Sequence, residues 1–427
     1  MKLLLKGGNV YRGGKFGRAD VLISDGVIEA VGDIEAGAGT ETVDVRGKYV
    51  IPGLVDVHVH FREPGFSYKE TIGTGSMAAA AGGYTTVCTM PNLDPAPDNM
   101  EHLSQQLRMI LDEAVIKVVP YGTITMGQKG KGTLADFDAM KDCVVAFSDD
   151  GRGVQAQDLM EHAMRRAARI NKPIVAHCEV DELLHGGYIH DGEYARLHSH
   201  KGICSESEWK QVERDIELSR ETGCQYHVCH VSTKESVGLV RSAKAEGLRV
   251  SCETAPHYLV MCDSDLQEEG RFKMNPPIRS KADQTALIAG IADGTIDVIA
   301  TDHAPHSAEE KSKGLAGSAF GIVGLEVSFP VLYTKLVLTN IITLERLIEL
   351  MSVLPGRLFG LGTTISPGKP ADIAVFDLQE KYKIDPDTFL SKGRSTPFAG
   401  WDVQGRNIMT IVDGRIVYKD GKITAKE

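Results

Sequence analysis

Between residues 52 and 362 the chain alternates short apolar runs with helical stretches, and several of those runs end in a residue type that ligates metals. The runs read GLVDVHVHF, YTTVCTMP, IKVVPYGTI, CVVAFSDDG, PIVAHCE, CQYHVCHVS, RVSCETAPHYL and DVIATDHAP. Stretches such as QDLMEHAMRRAARINK and ESEWKQVERDIELSRETG separate most of them. Eight strand–helix units in about 310 residues is the count of an α/β (β/α)8 TIM barrel with insertions. A doubly wound open sheet is the runner-up; it would call for a phosphate-type glycine fingerprint or a topological switch, and neither is evident.

The two ends read differently. Residues 1–51 and 363–427 carry short β runs between glycine-rich turns, with no helical periodicity. Each is too short for a β core of its own, so the two are expected to pair into one composite small β domain beside a catalytic barrel over 52–362.

The formal net charge of −11 argues against a non-specific nucleic-acid binder, which would carry a basic face. No apolar run is long enough to span a bilayer, and MKLLLKGGNVY reads as a strand rather than a signal peptide. The eight cysteines contain no CxxC pair and read as reduced core residues, which fits a cytoplasmic protein.

In a barrel, functional residues gather at the C-terminal ends of the strands. His58, His60, Asp150, His177, His230 and Asp302 all fall there. His58 and His60 share a face at i, i+2, with Asp56 behind them, while Val57 and Val59 are expected to face the helix layer. Cys178 and Cys229 adjoin ligand histidines and should point away from them. Neutral imidazoles with carboxylates suit zinc. Four histidines and two aspartates exceed the needs of one catalytic zinc and fit two ions sharing a bridging carboxylate and a bridging hydroxide. Asp150 is the natural bridge; Asp149 should face away or cap the turn at Gly151. A further HxH, His198 and His200, lies in a polar insertion and reads as a solvated loop. His257, in TAPHYL, either approaches the site or is structural.

The segments GKYVIPGLVDVHVHFREPG, AAGGYTTVCTMPN, FSDDG, HCE, HVS, ETAPHYL, MNPPIR, IATDHAPH and GKPADIAVFD occur in one order over essentially the whole chain. In them the chain resembles the type I dihydroorotases of bacteria, within the cyclic amidohydrolase superfamily. The resemblance implies one metal at His58 and His60 with Asp302 near it, a second at His177 and His230, and Asp150 shared. Many superfamily members bridge their metals with a carboxylated lysine on strand four; here that strand offers aspartate. The resemblance also implies Arg62 as the group that selects an anionic substrate, since a guanidinium fork binds a carboxylate in bidentate fashion. Allantoinases, which are otherwise similar, tend to carry asparagine there. Asn92 and His306 would assist at that carboxylate, Asn275 and His60 would touch substrate, and Phe320 and Gly321 would contact the ring through backbone groups. Asp302 would serve as general base, then general acid, in the zinc-dependent, reversible closure of N-carbamoyl-L-aspartate to L-dihydroorotate in pyrimidine biosynthesis. A homo-oligomer and association with aspartate carbamoyltransferase are further expectations. The polar stretch HSAEEKSKGLAGSAFG, without a helix or strand pattern, reads as a lid or an ordinary surface loop. Competing readings are an allantoin or hydantoin hydrolase, a catalytically dead scaffold for a pathway partner, and a mononuclear deaminase.

Overall fold

A computed structural model of the chain describes residues 2–362 and 364–424. Met1, Thr363, at which the expected C-terminal boundary falls, and residues 425–427 lie outside the described residues.

The apolar runs form a closed ring. Leu54–Val59, Tyr84–Thr89 and Lys117–Pro120 pair in parallel. Ile174–Ala176, Tyr226–Val228, Val250–Thr254 and Val298–Ile299 form a second parallel set. Phe147 joins the two sets, bridging Gly122 on one side and Ile174 on the other, and a Val59–His303 bridge closes the barrel. The run expected as strand four is therefore not a regular strand. Beyond Phe147, the Asp149 carboxylate accepts from the N–H groups of Ile124, Thr125 and Gly130.

The first strand is irregular as well. Its pairing with the second shifts between Asp56 and Val59. Val59 packs toward the helix layer with Phe61, as alternation requires. Val57 does not: it joins Val55, Cys88, Tyr121, Val145, Val175, Cys229 and Val298 in a cluster drawn from strands all round the ring, which only the barrel interior can supply. Strict alternation fails where the register slips.

The helix Ile72–Gly82 begins in a capping box between Thr71 and Thr74 and ends at Gly83 in the left-handed conformation. A Cβ on its Gly75 would sit 2.4 Å from a ring atom of Phe61, so only glycine lets this helix approach the end of the first strand.

Both ends of the chain build one nine-stranded sheet. Tyr49–Pro52 pairs antiparallel with Ile373–Lys383, placing Val50 opposite Val375. Leu3, Leu5, Val21, Ile23, Val50, Ile373, Val375 and Ile411 fill its core. The strand Asp402–Val412 lies on the helix Ile72–Gly82, where Asn407 and Thr410 donate to the Ala80 carbonyl. The segment between the C-terminal strands leaves the sheet and reaches the barrel: Ser391 and Lys392 donate to the buried Glu70.

Two stretches expected as loops carry local order. Glu193–His198 is a short helix beside a parallel ribbon of Ile189–His190 and Gly202–Ile203. His200 is held there by Glu268 and Tyr188, at 2.9 Å from each. After Asp302, Ala308–Lys311 and Gly314–Gly317 are single helical turns. The first is nucleated by a reciprocal cap between Ser307 and Glu310, an S-x-x-E signature hidden in the polar stretch.

Candidate metal centre

Two buried donor clusters meet at the C-terminal mouth of the barrel: His58, His60 and Asp302, and Asp150, His177 and His230. The first strand delivers His58 and His60, the run after Phe147 delivers Asp150, and the fifth, sixth and eighth strands deliver His177, His230 and Asp302. Asp150 lies between the clusters. Its Oδ1 is 3.4 Å from His58 Nε2 and 3.5 Å from His230 Nε2, and its Oδ2 is 3.5 Å from His60 Nε2. Asp302 Oδ1 is 3.1 Å from His60 Nε2 and 3.5 Å from His58 Nε2. His177 Nδ1 and His230 Nε2 are 2.9 Å apart.

The hydrogen bonding behind these atoms favours a cation in front of them. His58 Nδ1 is 2.6 Å from Glu253 Oε1 and donates to it, so its Nε2 lone pair faces inward, where it has no hydrogen-bond partner. His60 Nδ1 donates to Asn92 Oδ1 at 2.8 Å, which turns the His60 Nε2 lone pair toward Asp302 Oδ1. Two acceptors facing each other in a dry site require a proton or a metal between them. Asp150 Oδ1 is likewise buried without a hydrogen-bond partner. Imidazole and carboxylate donors in this arrangement fit zinc. Without a metal, protons take up the role. Burial opposes charge on His58, but Asp150, Glu253 and Asp302 together raise its pKa well above the usual value. Burial likewise opposes ionisation of Asp150 and Asp302, and the surrounding imidazoles outweigh it, lowering both.

Backbone geometry marks the same positions. Arg62, His230 and Asp302 all adopt positive φ, at 62°, 30° and 49°. This conformation is uncommon for residues other than glycine, and such strain collects at functional sites.

The expected substrate residues divide into two groups. Arg62 Nε donates to the Pro305 carbonyl, and its Nη2 is 3.4 Å from His306 Nε2; burial lowers its pKa to about 10, which leaves it charged at neutral pH. His306 Nε2 lies 2.7 Å from the Phe320 carbonyl, and a Cβ on Gly321 would stand 2.6 Å from the Ala304 carbonyl oxygen, so these residues form one wall of the mouth. Asn92 Oδ1 accepts from His60 Nδ1 at 2.8 Å. Asn275 is reached from the other side: its Nδ2 donates to Glu179 Oε1, whose other oxygen is 3.5 Å from His177 Nε2.

Of the two neighbouring cysteines, Cys178 turns away toward Tyr226. Cys229 does not, and its sulfur clusters with donor atoms of His58 and Asp150. Its face is the barrel interior, because the strand bends only at His230. Burial pushes the thiol far up, so it is a neutral thiol beside the centre. His257 is buried at the mouth with its Nε2 unpartnered, and burial lowers its pKa to about 4.

Of the residues that hold the ligands, sequence reasoning placed Asp56 behind His58 and His60 and passed over Glu253 and Glu208. Glu253 bridges His58 and His227, and His227 in turn meets Ser251. Asp56 accepts from the His58 and Thr301 N–H groups, tying the first strand to the eighth. Glu208 takes the N–H and hydroxyl groups of Ser232 and Thr233 just after His230. The available signal was a buried acid inside an apolar run, as in SCET.

A family model described as Dihydro-orotase-like matches residues 47–236. The dihydroorotase of Geobacillus thermodenitrificans is 49% identical over 428 residues, covering 99% of this chain and 100% of that protein. The dihydroorotase of Bacillus caldolyticus is 49% identical over 427 residues, again covering 99% and 100%. Among solved structures, the L-hydantoinase (dihydropyrimidinase) from Arthrobacter aurescens superposes with a TM-score of 0.88 at 26% identity, covering 99% of this chain and 97% of that one. A D-hydantoinase at 21% identity, covering 100% and 97%, gives 0.87 and shares the fold. Hydantoinase-like architecture thus carries a sequence that matches other enzymes of the superfamily at nearly twice the identity over its full length, and the chain belongs to the dihydroorotase family.

Proposed function

We propose that residues 52–362 catalyse the reversible ring closure of N-carbamoyl-L-aspartate to L-dihydroorotate and water, the dihydroorotase step of UMP synthesis. Residues 1–51 and 363–427 complete the fold. One observation carries the substrate assignment: the charged Arg62 guanidinium lies beside His306, two residues beyond the ligand His60. A ring carboxylate explains a buried cation at that place, and a neutral hydantoin or allantoin does not.

His58, His60 and Asp302 would hold one zinc ion and His177 and His230 the other, with Asp150 between them. When bound, the zinc pair supplies an activated water and polarises the ring amide carbonyl. The protein's own groups do the rest. Arg62 and His306 bind the carboxylate and fix the ring in register. Asn92 holds the His60 imidazole by its Nδ1 proton. Asp302 turns Oδ1 toward His58 and His60, which leaves Oδ2 to take the proton of the attacking water. As the C–N bond breaks, Asp302 returns that proton to the leaving ring nitrogen; closure runs the same steps in reverse. A cytoplasmic homo-oligomer, with association to aspartate carbamoyltransferase, belongs to the same proposal.

The test is hydrolysis of L-dihydroorotate by zinc-loaded protein beside allantoin and hydantoin, with a chelator control. Turnover of dihydroorotate alone, lost with chelator, is expected. Asp302→Asn should lower kcat by at least about a hundredfold, since it removes the proton carrier. Arg62→Asn should raise KM by about tenfold or more while zinc content holds, since it removes a charged bidentate contact. Hydrolysis of the neutral rings instead would overturn the substrate assignment.

A further inference from the structure

One cation at the mouth is unused by this mechanism. Lys69 follows Arg62 by seven residues on the loop after the first strand, and its side chain is only 14% exposed. Its Nζ is 3.3 Å from His306 Nδ1 and 2.9 Å from Glu310 Oε1. It also lies over the Phe66 and Tyr68 rings, at 5.6 and 5.5 Å from their centroids.

Each His306 nitrogen meets one donor and one acceptor, Arg62 and the Phe320 carbonyl at Nε2 and Lys69 and Glu310 at Nδ1, and the shortest of these contacts selects the tautomer. Its Nε2 is 2.7 Å from the Phe320 carbonyl, which only accepts, so Nε2 carries the proton. Nδ1 is then the acceptor, and Lys69, which only donates, satisfies it. The opposite tautomer has a competing partner, since Nδ1 is also 3.5 Å from Glu310 Oε2. In that state the Nε2 lone pair would accept from Arg62 Nη2 at 3.4 Å but would face the Phe320 carbonyl at 2.7 Å and any carboxylate bound at Arg62.

We propose that Lys69 is a specificity-determining positioning residue: by donating to Nδ1 it fixes the His306 proton on Nε2, beside the Arg62 guanidinium. The pocket then offers a guanidinium and an imidazole N–H to one carboxylate, and the Phe320 carbonyl holds that N–H until a stronger, charged acceptor replaces it. The proposal rests on the reading of Arg62 and His306 as a carboxylate pocket. Lys69 can instead be a simple latch, pairing with Glu310 to tie the segment after Asp302 to the loop after the first strand. The two roles make different predictions.

Lys69→Met, Glu310→Gln and wild type are compared by steady-state kinetics on dihydroorotate, with zinc content measured alongside. Nitrogen-15 NMR of labelled histidine follows the His306 tautomer, assigned by its absence in His306→Asn. Lys69→Met should raise KM by about tenfold with kcat changed less than about threefold, the loss of a carboxylate contact rather than of chemistry. Glu310→Gln should stay within about twofold of wild type on the same scale. The His306 signal should report Nε2–H in wild type and lose it in Lys69→Met. Unchanged KM in Lys69→Met, an unchanged tautomer, or a Glu310→Gln variant that reproduces Lys69→Met would each overturn the proposal. Should Lys69→Met not fold, Lys69→Gln retains a donor without charge. Recovery of both only as unfolded protein would make Lys69 a stability residue and end the proposal. The NMR measurement needs no substrate, so a wild type that ignores dihydroorotate would discard the substrate assignment and leave the tautomer result to stand or fall separately.

Discussion

Glu253 illustrates how single residues hold this centre from behind. It is fully buried, 2.6 Å from His58 Nδ1 and 3.2 Å from His227 Nε2. Burial opposes its charge, but the His58 and His227 imidazoles outweigh burial and hold it well below the usual carboxylate range. A carboxylate behind a ligand histidine fixes the tautomer and makes the other nitrogen a better donor. Glu253→Gln should therefore weaken zinc binding by about 10–100-fold, read by competition with a chromophoric chelator. Unchanged affinity would assign Glu253 to packing alone. At this scale the sequence yields the ligand types and hides their supports. HxH and a terminal aspartate announce themselves by residue type at strand ends, but Glu253 meets His58 across 195 residues of chain. No local spacing encodes such a pair. Cys229 escaped for a different reason: alternation placed it facing away, and the bend at His230 undoes alternation at that point.

At the scale of elements, the runs that became strands were legible because β-branched and apolar residues between helical stretches have few other uses. Their irregularities were not legible, since a register shift arises from neighbours that local sequence does not name. The segment joining the C-terminal strands is the clearest case. Glu326, two residues before the helical turn Ser328–Leu332, accepts from the Leu390 and Ser391 N–H groups at 3.0 and 3.1 Å. Burial, with Glu70 adding to it, raises the Glu326 pKa from 4.5 to about 7. Between those values the folded protein binds more protons than the unfolded chain, so this group's contribution to stability falls as pH rises through the window. The full effect is on the order of a few kcal/mol. Glu326→Gln keeps an acceptor for both N–H groups and removes the charge. Its Tm should exceed that of wild type at pH 8, and the difference should shrink toward pH 5. A difference that is constant with pH would show that Glu326 does not titrate in this range.

Over the whole molecule, pairing of the two ends was legible because neither could bury its own β face, whereas the reach of the C-terminal segment to the catalytic mouth was not. That reach makes the barrel depend on the far end of the chain. Glu70 is fully buried; it receives Ser391 and Lys392 from this segment and stands 3.4 Å from His303, the residue after Asp302. A chain ending at Lys383 keeps the strand Ile373–Lys383 against Tyr49–Pro52, so the junction of the two ends survives. It loses the strand Asp402–Val412, whose Ile411 fills the sheet core and whose Asn407 and Thr410 cap the Ala80 carbonyl. It also strips donors from two carboxyl groups, the buried Glu70 and the half-buried Glu326, at about 1–3 kcal/mol each. Together with the lost strand, these losses are a large fraction of the stability of an ordinary domain, about 5–15 kcal/mol. The truncated chain should be recovered as aggregate, or as a species with helical circular dichroism but no stoichiometric zinc. The expected cause is the mouth around His303 and Asp302, which opens when Glu70 is stripped, although none of the proposed ligands has been removed. A soluble monomer that binds zinc as wild type does would show instead that the barrel folds on its own and that the terminal sheet is an attachment.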